Sequence, residues 1–168
     1  IARGGSGPQA WADLEVRLPR GQRTVVRLGV GDVVARDVDG DLTLDVGSAS
    51  VEAGGTSGRL AVDAGSGTVT LHAHHGDVTV DTGSGAVDLT DVTAGSLHVD
   101  TGSGSVTGSG VEADDLDVDT GSGAVRMEGV SVRSVRVDTG SGGVRLGLST
   151  APGSVLVDTG SGGVTISA

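Results

Sequence analysis

The chain has 168 residues, a length suited to one domain, and 32 of them are glycine, far above the usual share of roughly 7%. It has no Cys, Phe or Tyr, one Trp (Trp11), one Met (Met127) and a net charge of −11, with Arg as the only strongly basic side chain. Together these exclude a helical bundle or doubly wound enzyme built on an aromatic core, a disulfide framework, thiolate metal sites, and a basic face for nucleic acid or anionic membranes. Glycine does not fall at every third position, which excludes collagen, and regularly spaced Val and Leu argue against disorder. No stretch approaches the roughly 18 apolar residues of a bilayer span, so no transmembrane segment is expected.

In chain order, the first element is an arm. Ile1 to Ala10 has linker composition, with Gly4, Gly5, Ser6, Gly7 and Pro8. It is expected to dock on its own domain or to add as a strand to a neighbour. Asp13-Leu14-Glu15-Val16-Arg17-Leu18 alternates as a strand does and is followed by a Pro19-Arg20-Gly21 turn. Residues 1–25 are therefore read as an N-terminal arm and capping strand, with Trp11 plugging that end.

From residue 26 to 168 the chain repeats itself. Val-Asp-Thr-Gly-Ser-Gly-x-Val occurs five times, with its Asp at Asp81, Asp100, Asp119, Asp138 and Asp158. Near copies carry Asp63 and Asp45, and a decayed one puts Arg27 in the Asp slot. Successive steps are 18, 18, 18, 19, 19, 19 and 20 residues, giving eight units. So short a unit suits one coil of a solenoid rather than paired helices or a propeller blade.

Inside a unit, Leu97, Val99 and Thr101 alternate with His98 and Asp100, which is strand periodicity. A Gly-Ser-Gly corner then leads to a second strand, as at Val125-Arg126-Met127. A third apolar patch (Val92, Val111, Val130-Ser131-Val132) has variable spacing and is expected to contain the corner that absorbs the length changes. The fold class is all-β: a parallel β-solenoid of about eight coils, right-handed by the general preference of parallel crossovers. Coils about 4.8 Å apart stack to roughly 38 Å. The chain finishes mid-pattern at Val164-Thr165-Ile166-Ser167-Ala168. Either it continues or another subunit covers that edge, so Ile1, Trp11, Val164 and Ile166 are the candidate end contacts of a homo-oligomer.

The repeats, with the lead-in Val16-Arg17-Leu18-Pro19-Arg20-Gly21, resemble a bacterial adhesin-type β-strand-repeat family. The resemblance covers roughly residues 13 to 168 and implies a β-solenoid in an exported, cell-envelope or extracellular setting, with no catalytic residues to carry over. That family often has Asp after Ser-Gly; here the position holds Thr68, Ala86, Ser105, Ala124, Gly143 and Gly163.

Asp-Thr-Gly-Ser is also the active-site string of pepsin-like proteases, which need two such Asp residues facing each other across two lobes. Five copies at a constant step are a repeated turn instead. Stacking places Asp63, Asp81, Asp100, Asp119, Asp138 and Asp158 in one outward column. Carboxylates about 5 Å apart repel by roughly 1 kcal/mol in water-like surroundings. Three offsets are open: Asx-type bonds to the Gly-Ser-Gly N–H groups, outward Arg residues (Arg126, Arg133, Arg136, Arg145), or Ca²⁺ between coils. The Ca²⁺-binding nonapeptide is absent, and no cofactor is expected. His72 and His74, flanking an inward Ala73, are read as two outward imidazoles and a weak metal candidate. One Thr per coil, from Thr82 to Thr159, is turned inward by alternation. The sequence points to a non-catalytic structural protein that assembles end to end, the alternative being a module that binds a glycan, surface or protein.

Overall fold

Strand formation follows from the alternation of β-branched inward residues with polar outward ones. The computed structural model describes residues 14–168. They contain fourteen strands and no helix. In chain order these are β1 (Thr24–Val30), β2 (Val33–Arg36), β3 (Leu42–Ser48), β4 (Val51–Gly54), β5 (Leu60–Ser66), β6 (Val69–His75) and β7 (Val78–Thr82). They continue as β8 (Val87–Thr101), β9 (Val106–Ser109), β10 (Glu112–Thr120), β11 (Val125–Thr139), β12 (Val144–Leu148), β13 (Ser154–Thr159) and β14 (Val164–Ser167). Every strand pairing is parallel.

The pairings resolve into a solenoid of about eight turns. One side stacks β1, β3, β5, β7, the end of β8, β10, the end of β11, and β13. A second side stacks β2, β4, β6, the start of β8, β9, the start of β11, β12 and β14. The third side is short: Val92 and Val130 are buried in the middle of the long strands β8 and β11, and Val111 is buried between β9 and β10. Like lies over like: Leu44, Val62, Val80, Val99, Val118 and Val137 form one buried column. Stability therefore comes from rung-on-rung burial, at about 1.5–3 kcal/mol for each enclosed Val or Leu.

Between the second and third sides each of the first six coils bends at one left-handed residue: Asp37 (φ 53), Gly55 (φ 62), Ala73 (φ 50), Asp91 (φ 52), Gly110 (φ 64) and Gly129 (φ 66). Such a residue interrupts the two-residue alternation, so its successor turns inward. The first length change falls where the third side meets the next coil, and a further register shift falls between Met127 and Val130 in the pairing of β11 with β12. His75 pairs with Thr93, 18 residues on, whereas Val78 pairs with Leu97, 19 on. The last lengthening occurs between Leu148, paired with Val130, and Ser154, paired with Ser134. The columns of the first two sides are unaffected.

The expected strand over residues 13–18 is not formed. Leu14 to Leu18 is irregular, and Leu14, Val16 and Leu18 are exposed. The segment is tied to the first coil by the Gly21 N–H, which donates to the Asp39 carbonyl (2.7 Å). With no partner strand, a two-residue period alone does not make a sheet. The expected contacts at Ile1 and Trp11 lie outside the described residues.

Candidate functional site

The aspartate column is formed. Arg27, Asp45, Asp63, Asp81, Asp100, Asp119, Asp138 and Asp158 pair rung by rung in register. Arg27 Nε lies 3.3 Å from Asp45 Oδ2, and Arg136 lies 3.9 Å from Asp138, both pairs being solvent-accessible. Among the described residues, Asp63, Asp81, Asp100, Asp119 and Asp158 have no ion pair and no side-chain hydrogen bond. Desolvation, and then the neighbouring Asp100, Asp138 and Asp117 charges, raise the Asp119 pKa above its ordinary 3.8, with Arg136 opposing. Arg27 and Arg136 thus offset part of the column's charge near its two ends.

Asx bonding does not supply the offset. Alternation turns each Asp away from the corner and turns the following Thr into it. The N–H groups of Gly104, Gly123, Gly142 and Gly162 donate to Thr101, Thr120, Thr139 and Thr159 Oγ1, each at 2.9 Å. Each of those hydroxyls donates in turn to a glycine carbonyl of the preceding coil: Thr101 to Gly85 (3.3 Å), Thr120 to Gly104 (3.2 Å), Thr139 to Gly123 (3.2 Å) and Thr159 to Gly142 (3.1 Å). A hydroxyl–glycine ladder therefore runs through the last five coils, with Thr82 holding the Gly85 N–H at its start. The inward position of these threonines was legible in the sequence, but their role as the corner's hydrogen-bonding spine was not.

His72 and His74 do not share a face. Ala73 is the left-handed residue of its coil and is itself exposed, so His72 points outward and His74 inward. His72 Nε2 lies 3.9 Å from Glu52 Oε1. His74 is 1% exposed, with Nδ1 2.8 Å from Thr56 Oγ1, while its Nε2 has no partner. Burial, the largest effect, lowers the His74 pKa below its ordinary 6.5, and the His75 charge acts the same way. Backbone hydrogen bonds at Gly76 and Thr56 oppose them. The two rings cannot close on one ion. Among the described residues, no group of three or more His, Asp or Glu side chains converges as metal ligands would. The spacing of 18 residues between Thr56 and His74, one coil, was the signal that could have paired them.

The ends are the other distinctive places. Among the described residues, strands β1 and β2 pair on one edge only, as do β13 and β14. Val164 and Ile166, which continue the buried columns of Val144 and Leu146, are 44% and 46% exposed. A groove of about 490 Å³ separates residues 15–20 from the first coil at Val34, Asp37 and Val38. No helix is long and apolar enough to cross a membrane among the described residues.

The sequence matches the family described as Toastrack DUF4097 over residues 4–168. No curated protein and no solved structure matches it. The chain belongs to the Toastrack DUF4097 family.

Proposed function

Starting from a Toastrack solenoid, we propose that this chain is a non-catalytic structural module of the cell envelope or extracellular space that assembles end to end. One observation carries the reading: among the described residues, the first and last coils each have a strand edge without a partner, and Val164 and Ile166 of the last are exposed aliphatic rungs. Parallel edges of this kind add further strands readily. A head-to-tail contact between unlike ends does not close on itself, so it builds open filaments. Uniform columns along the coils fit a scaffold, since each rung repeats its neighbour rather than gathering reactive groups.

Negative-stain images and light scattering over a concentration series test this. Rods longer than one stack of roughly 38 Å, growing with concentration, support it; a monodisperse monomer at high concentration overturns it. The exterior setting rests on the resemblance to adhesin repeats. Fractionation of cells producing the native protein checks it, and a purely cytoplasmic pool contradicts it. The adhesin-type alternative draws on the groove beside residues 15–20, the irregular concavity of the first coil. Binding on a glycan or protein panel, abolished by changes at Val34 and Arg36, would favour it.

A further inference from the structure

The two end coils are built differently from the coils between them, and the differences match. Three outward positions on the first side show this. The residue column that ends at Leu156 runs through Thr43, Ala61, Thr79, His98, Asp117 and Arg136, and begins at Val25. Large aliphatic side chains occur in it at the two ends alone, and both are exposed. The next outward column is acidic from Asp45 to Asp158 and begins with the one basic residue, Arg27.

The third position is a glycine column. A Cβ on Gly47, Gly65, Gly83, Gly102, Gly121, Gly140 or Gly160 would lie 2.5–2.7 Å from the carbonyl oxygen of the glycine one coil earlier. Gly29 heads that column. A Cβ there would meet nothing within 4 Å among the described residues, and its φ is not in the left-handed region. Nothing within the described chain requires glycine at 29.

From these we infer that the partner of the first coil is the last coil of a second copy, docked as though it were the next rung of the same solenoid. This rests on the end-to-end reading above and specifies its register. Arg27 then sits between its own Asp45 and Asp158 of the second copy, and Val25 covers that copy's Leu156. The Gly160 carbonyl of the second copy occupies the space that a side chain at Gly29 would fill. Inside, Ile166 of the second copy falls on the small Ala35, and its Val164 on Val33. Charge, apolar contact and close backbone approach select the same register independently.

The test uses the full chain and measures, by light scattering, the concentration at which assemblies appear. Arg27→Asp, which sets Asp against Asp158, raises that concentration at least tenfold. Asp158→Arg alone does likewise, and the double exchange Arg27→Asp/Asp158→Arg returns it to within about twofold of the parent. Gly29→Ala raises it at least tenfold while leaving the melting temperature of the dilute monomer unchanged. A parent chain that never assembles overturns the end-to-end reading itself. A parent that assembles while Gly29→Ala and Arg27→Asp assemble equally well overturns only the register proposed here.

Discussion

The first three coils and the last five turn the same corner by different means. In β1, β3 and β5 the strand runs two residues beyond Leu28, Val46 and Ala64 before the chain bends. In two of these coils the bend is at a left-handed glycine, Gly31 (φ 126) or Gly67 (φ 132). In β7, β8, β10, β11 and β13 the strand stops at the threonine itself, and the hydroxyl takes over the corner. One buried hydroxyl per coil thus replaces two residues of backbone pairing. The early corner differs in sequence from coil to coil, whereas the late one is a repeated module.

The largest expected contrast lies at the last glycine of the corner. Position 123 in the late coils corresponds to Gly31, Ala49 and Gly67 in the early ones, so only the second coil carries a side chain there. A Cβ on Gly123 would fall on the Gly104 carbonyl oxygen, so Gly123→Ala should cost about 4 kcal/mol or more in a urea melt. The reverse change, Ala49→Gly, should cost only about 1 kcal/mol. Equal effects at the two sites would erase the distinction between corners. Next in size, Thr120→Val keeps the shape but orphans the Gly123 N–H and the Gly104 carbonyl, at about 2–4 kcal/mol. A melt unchanged by this substitution would show the ladder to be incidental.

The polar rung of the early coils gives a smaller effect. Thr56→Val leaves His74 Nδ1 unsatisfied and should cost about 1–2 kcal/mol, while Thr56→Val/His74→Leu should recover most of it. The pH dependence carries the same signature. Because burial holds the His74 pKa below 6.5, the unfolded chain binds that proton more tightly. The contribution of neutral His74 is complete above pH 6.5, falls as pH drops from there towards the folded value, and is flat below it. Asp119 has the opposite sign. Its raised pKa means that the folded chain binds the proton more tightly, so stability is gained as pH falls through the folded value towards 3.8. His74→Leu should remove the loss below pH 6.5 and leave the acid gain. Smallest of all, Asp119→Asn should stabilise by about 0.2–1 kcal/mol at low salt and less at high salt, as screening predicts.

The solenoid was legible because its cause is written along the chain: a two-residue apolar period inside an 18- to 20-residue repeat leaves few alternatives. The inward Thr101 and outward Asp100 followed from the same rule. What failed were places where a local exception overrides the period. Ala73 has no turn signature, yet it adopts a left-handed φ because Gly55 before it and Asp91 after it do so in the same column. That single residue moved His74 from surface to core. Leu14 to Leu18 alternates correctly but has no strand to pair with, and pattern alone cannot supply one. Some glycines outside the corners also answer needs of space. Gly108 gives room to Met127 and Gly54 to His72, each one coil further on, which only the stacked register reveals.

The threonine spine also has a sense of travel. From Thr101 to Thr159 every hydroxyl proton points at the coil before it, never at the coil after. Sheet dipoles nearly cancel, but these side-chain dipoles add along the axis and polarise one another. The ladder therefore has a direction, each coil from the fifth onward leaning on a glycine carbonyl of the coil before it.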